Sequence, residues 1–133
     1  MDKRINASFN RQGLMATFGA SVEHVAKGQV ILRAPILPGS RQQHGVAHAG
    51  LTFALGDSAA GYSALTLLPE GQEVMTAEMK INLLAPGKGD ALRAIGRIIK
   101  PGRRLIVVAA DVYALENGEE THIATLMGTM VPV

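Results

Sequence analysis

Hydrophobic and polar positions along this chain change period several times, and each change marks an element. Ile5, Phe9, Leu14, Met15 and Phe18 recur at helical spacing and Gly19 closes the stretch, so a helix is expected over about residues 4–18. Val22 to Ala34 has strand character broken at Lys27-Gly28, and Pro35 and Pro38 open a polar loop that runs through Gly45. From about Ala47 to Leu67 small and apolar residues follow one another on every side, a long helix that Pro69-Glu70-Gly71 ends. Beyond it the period drops to two. Ala77, Met79, Ile81 and Leu83 share one face of a strand, and Glu78, Lys80 and Asn82 share the other. Pro86 to Asp90 marks a turn, Ala91 to Lys100 a second strand, Leu105 to Leu115 a third, and Thr121 to Val131 a fourth. Asn117-Gly118 between the last two is a hairpin signal. The expectation is a four-strand antiparallel meander following one apolar helix. Such a helix cannot lie on a sheet with one side wet, so the sheet curls around it or a partner covers it.

Composition narrows the class. At 133 residues, 47% of them apolar, the chain is long enough for one domain, residues 1–133, and too short for two. It has no cysteine, which fits a reducing, cytoplasmic setting and excludes a disulfide framework or a thiolate metal site. The net charge is only +2, and the one basic cluster, Lys100-Pro-Gly-Arg103-Arg104, has no aromatic beside it. That argues against nucleic acid and for a small polyanion. Residues 45–68 have the length of a membrane span but hold Asp57, His48 and four glycines. A central Asp alone costs about 2.5–3.5 kcal/mol on insertion, so a buried helix, and no membrane partner, is expected.

Asp57 is the single formal charge between Gln42 and Pro69. A lone carboxylate on a buried helix is costly unless something uses or neutralises it. The N–H groups of Ala49 and Gly50 fall in the first turn of the same helix, where unpaired donors and the positive end of the dipole favour a developing oxyanion. Asp57 lies eight residues beyond Ala49, about 12 Å along the axis at ~1.5 Å per residue. One reacting carbon cannot sit within ~3 Å of both groups. If both act on one substrate, they come from two chains. Blander readings stand beside this one. Asp57 could serve only local donors; His48 could order the loop or transfer a proton; His44 and His48 could hold zinc, although no third ligand is near. Ser58 follows Asp57 but sits in mid-helix, not on a nucleophile turn.

The stretch His48-Ala-Gly-Leu-Thr-Phe-Ala-Leu-Gly-Asp57, followed by Ser-Ala-Ala-Gly-Tyr62, resembles the signature of hotdog-fold acyl-CoA thioesterases of the phenylacetate-degradation (PaaI-like) type. Glu78 to Pro86 and Gly102-Arg-Arg-Leu-Ile-Val-Val108 are similar to the later strands of that family, and the likeness runs from about Gln42 to Val131. The resemblance implies an α+β hotdog fold, an antiparallel sheet wrapped around one long central helix. It further implies hydrolysis of acyl-CoA without a metal or other cofactor, by a homo-oligomer, dimer or tetramer, whose site lies at the dimer interface. By matched position it implies that Asp57 is the general base or nucleophile and that the Ala49 N–H polarises the thioester carbonyl. Gln42 and Thr76 fall where relatives order the attacking water, and Arg103 and Arg104 where they contact the CoA phosphates. Two departures stand out: Ala49 replaces a glycine and Gln42 an asparagine. Both bear on efficiency and substrate choice. A non-catalytic acyl-CoA or small-ligand binder, and an acyl-thioester dehydratase, are the competing classes.

Overall fold

The computed structural model describes residues 2–133. Two short helices, α1 (Asp2–Phe9) and α2 (Gly13–Thr17), replace the single helix expected over 4–18. The break falls at Asn10-Arg-Gln12, where Asn10 and the following Gly13 are poor helix formers. Gly19, at φ +68°, ends the stretch as expected. Strands β1 (Ser21–Ala26) and β2 (Gln29–Pro35) form a hairpin, divided at Lys27-Gly28. The long helix α3 spans Ala49–Leu65, and β3 (Val74–Leu83), β4 (Ala91–Pro101), β5 (Ile106–Glu116) and β6 (Glu119–Pro132) complete one six-stranded sheet.

The sheet is antiparallel in the order β1-β2-β4-β5-β6-β3, which corrects the expected meander. β3 does not pair with β4. It lies at the far edge against β6, and β4 pairs with β2 and β5. Residues 84–90 are therefore a crossover and not a hairpin turn. Seven residues reach about 23 Å when extended, ample for the ~14 Å that separates strands three places apart. Backbone bonds stitch the crossover down on its way: Leu84 N–H to the Ile123 carbonyl at 2.7 Å, Ala47 N–H to the Gly87 carbonyl at 2.9 Å, and Asp90 N–H to the Leu115 carbonyl at 2.8 Å. At the β5–β6 end, Asn117 (φ +51°) and Gly118 (φ +80°) adopt the two left-handed positions of a type I′ hairpin, as the dipeptide predicts.

The sheet curls around α3. Beyond Gly50 no residue of this helix is fully exposed, which resolves how so apolar a helix is accommodated. Two hydroxyls pin the β1–β2 hairpin to its C-terminal half. Ser63 Oγ accepts the Val30 N–H at 3.0 Å and donates to the Ala59 carbonyl at 2.8 Å, and Thr66 Oγ1 accepts the Gly28 N–H at 2.8 Å. Ser63 is fully buried. Replacing it with Ala strands the Val30 N–H in the core, and chemical denaturation of Ser63→Ala should show a loss of about 1–3 kcal/mol. At the end of α3, the Arg4 guanidinium donates to the carbonyls of Leu68, Pro69 and Gln72, a cation placed where the helix dipole is negative.

One irregularity positions the site. The β3–β6 register slips between Thr76 and Glu78, so that Ala77 is an extra residue. Thr76 sits opposite Met130, which is buried, and Met79 and Ile81 pack on the core farther along. Simple alternation puts Thr76 on the polar face with Glu78; the bulge turns it toward α3. Ala77 and Leu83, expected on the apolar face, are exposed.

Candidate active site

The N-terminus of α3 is built by its preceding loop. His48 is the N-cap, with extended backbone (φ −64°, ψ 141°), and its Nδ1 accepts the Gly50 N–H at 2.7 Å. Its own N–H donates to the Ser40 carbonyl at 2.9 Å and its carbonyl accepts from Leu51 at 3.0 Å. The ring folds so close over Gly50 that a Cβ there would meet Nδ1 at 2.9 Å, which explains why this position is glycine. The Gly50 N–H is thus committed to His48, whereas the Ala49 N–H has no acceptor among the described residues. Of the two donors expected at this end of the helix, Ala49 carries the free one. Gln42 stands nearby with its Oε1 accepting the His44 N–H at 2.5 Å, which leaves its amide nitrogen to meet a ligand. Gln42, His48 and Ala49 line one cavity of about 720 Å³, closed on the other side by Leu84, Pro86 and Ile123. Among the described residues, no three His, Cys, Asp or Glu side chains come together as metal ligands.

Asp57 occupies the third turn of α3 and lines a separate cavity of about 250 Å³. Its Oδ1 accepts the Thr76 hydroxyl at 2.8 Å. Burial pushes the Asp57 carboxyl above the ordinary aspartate range, and the Thr76 hydroxyl, which favours the ionised form, pulls partly back. The sequence therefore points to two groups that the fold does bring together, Asp57 and Thr76, and to two others, Gln42 and Ala49, that it brings together elsewhere. No lining residue is common to the two cavities.

Three residues around Asp57 carry no signal of their own in the sequence. Tyr62 Oη accepts from Gln12 Nε2 at 2.8 Å and lies 3.1 Å from Ser8 Oγ, so the N-terminal helices wall the cavity. Asp57, Ser58, Gly61, Tyr62 and Leu65 are one helix face (i, i+1, i+4, i+5, i+8), which could have nominated Tyr62. Nothing local could have nominated Gln12 and Ser8.

Arg103 and Arg104 are exposed at the β4–β5 turn. Through the register Pro101↔Ile106↔Met130↔Thr76, that turn lies at the same end of the sheet as Thr76. Among the described residues, no helix is long and apolar enough to cross a membrane.

Comparison with known proteins bears on this arrangement. Residues 44–121, which contain Ala49, Asp57 and Thr76, match the model of the Thioesterase superfamily. A thioesterase family protein of Silicibacter pomeroyi is 39% identical, with a TM-score of 0.97 over 99% of this chain and 97% of that one. A Bacillus halodurans protein solved with CoA is 26% identical, with a TM-score of 0.82 over 96% and 85%. The PaaI protein of Escherichia coli, from the phenylacetic acid degradation operon, has a TM-score of 0.84 over 96% and 89% at 19% identity, a likeness of fold. The architecture is the hotdog fold.

Proposed function

This chain belongs to the thioesterase superfamily, and from that premise we propose that it is an acyl-CoA thioesterase, a cytoplasmic homo-oligomer with its site shared between two chains. The observation that carries the reading is Asp57: one carboxylate on an otherwise apolar helix, half-buried, held by a hydroxyl and open to a cavity. In the reaction, Asp57 takes a proton from water as the water oxygen bonds to the thioester carbon, or attacks that carbon itself. The carbonyl oxygen, gaining charge, is met by the Ala49 N–H at a helix N-terminus. The carbon–sulfur bond then breaks and the CoA thiolate leaves, taking up the proton; where Asp57 has attacked directly, water next hydrolyses the mixed anhydride, which frees the acid and Asp57 and supplies the thiolate's proton. Gln42 and Thr76 orient the water, His48 orders the loop, and Arg103 and Arg104 meet the CoA phosphates. Water and side chains suffice, so the reading requires no cofactor.

Division of the site between two cavities supports the shared arrangement. Ala49 and Asp57 are about 12 Å apart along α3, too far to act on one carbon from a single chain. The exposed Met75, Leu83 and Leu84, at and beside the edge strand β3, give a second copy an apolar surface to cover. A panel of CoA esters assayed for thiol release tests the activity. Tight binding without hydrolysis would instead favour a ligand-binding role, to which the alanine at position 49 also lends itself. The shared site has its own measurement. Subunits carrying Asp57→Ala mixed with subunits carrying Ala49→Pro, which lacks the N–H, should regain part of the activity that each lacks alone; verified mixed dimers that stay inactive would count against it.

A further inference from the structure

Resting on the reading of Asp57 as the group that attends the thioester carbon, we infer that the 250 Å³ cavity beside it receives the acyl group, and that Tyr62 and Gln12 select acyl chains ending in an uncharged hydrogen-bond acceptor. The cavity runs along one face of α3 from Asp57 to Tyr62, five residues on, about 7.5 Å at ~1.5 Å per residue. Leu65, Val74 and Met130 add apolar walls to its polar lining. At the Tyr62 end the phenol oxygen accepts from Gln12 Nε2 at 2.8 Å and lies 3.1 Å from the Ser8 hydroxyl. A phenol oxygen can accept twice and donate once. Gln12 donates to it, and the Ser8 and Tyr62 hydroxyls share one bond that either can donate, so the pair keeps one hydroxyl proton for a ligand and Gln12 Nε2 has a second to offer. Tyr62 itself is 7% exposed, so an acyl chain reaching it meets a donor already withdrawn from bulk water.

Size and charge limit the ligand further. At ~30 Å³ per water molecule, the cavity holds the equivalent of about eight waters, a volume that suits a short or single-ring acyl group. Glu73 also borders the cavity, with the exposed Arg11 its one cationic neighbour among the described residues at 4.0 Å, and its carboxylate repels an anionic terminus. An apolar terminus of equal size would bury the Tyr62 and Gln12 donors unpaired. Rejection by an unpaired buried donor is far stronger than rejection by a missing methylene.

Paired isosteric substrates test this. The acyl groups of 4-oxopentanoyl-CoA and 4-methylpentanoyl-CoA have the same number of non-hydrogen atoms and differ in a ketone oxygen against a methyl. The wild-type protein should show kcat/KM at least about tenfold higher for the oxo ester. In Tyr62→Phe, which keeps the ring packed on Phe9, that ratio should fall to within about threefold of unity. Gln12→Leu, between the two N-terminal helices, should lower it in the same direction and serves if the first variant fails to fold. A wild-type ratio near unity, or one that both variants leave intact, overturns the inference while the thioesterase reading stands. No hydrolysis of any CoA ester by the wild-type protein overturns both.

Discussion

Asp57→Asn should lower kcat/KM for a CoA ester by about 10³, the range expected when a positioned base is removed, and should at the same time make the protein more stable at neutral pH. The two effects share one cause. Burial raises the Asp57 carboxyl above its unfolded value, so the folded state prefers the protonated form. Stability from this group is fully present below the unfolded pKa, near 3.9, and is lost as pH rises through the higher folded value. At pH 7 the ionised carboxylate is a cost that the isosteric amide does not carry. Thermal melts of the two proteins should therefore separate at pH 7, with the variant higher, and the variant's advantage should vanish below about pH 4. Activity runs the opposite way, because the reaction needs the ionised form. The acid limb of the kcat/KM profile should lie above the range of an ordinary aspartate, and Thr76→Val, which removes the hydroxyl that favours ionisation, should move it higher still. An Asp57→Asn protein with undiminished turnover would sink the mechanism; one that melts no higher at pH 7 would sink its electrostatic half.

Gly96→Val should be the most damaging single change to the fold. Gly96 faces α3 from the centre of β4, opposite Ala110. A Cβ there would overlap the Ala59 carbonyl and the Ser63 hydroxyl, neither of which can swing away. Ala59 is helix backbone, and Ser63 Oγ already holds the Val30 N–H. The helix would have to lift from the sheet, losing packing along β2, β4 and β5 together. Overpacking of this kind costs about 3 kcal/mol or more, and the Val30 bond would be lost in addition. Urea denaturation of Gly96→Ala and Gly96→Val should show a graded fall in midpoint, with the valine protein recovered poorly or unfolded. A valine variant with the wild-type midpoint would mean that the helix does not seat on β4 as closely as described.

Most elements of this protein were legible because they carry a local mark. The period-two alternation after Thr76, the breaks at Gly19 and Lys27-Gly28, and Asn117-Gly118 all act within a few residues, and the structure has them where they were expected. Strand order was not legible. Alternation says that residues 76–83 form a strand but not which strand they choose, and the crossover over 84–90 carries Pro and Gly just as a hairpin turn does. Asp57 stood out as a charge in an apolar run, an energetic anomaly visible in one dimension. Gln12 could not stand out in that way. Its meaning depends on a tyrosine fifty residues later, which leaves no local trace.

The extra residue at Ala77 shows a different kind of coding. Between Thr76 and Glu78 the strand changes phase, and this half-period offset alone decides whether the threonine hydroxyl looks at a carboxylate or at solvent. Deleting one small, exposed residue would restore the phase and silence that contact, turning Val74 and Met75 over with Thr76 while leaving the strand from Glu78 onward in place. Part of this chemistry is thus written in the length of the chain and not in its letters, and an alignment that treats a one-residue gap in this strand as noise would pass over a difference in function.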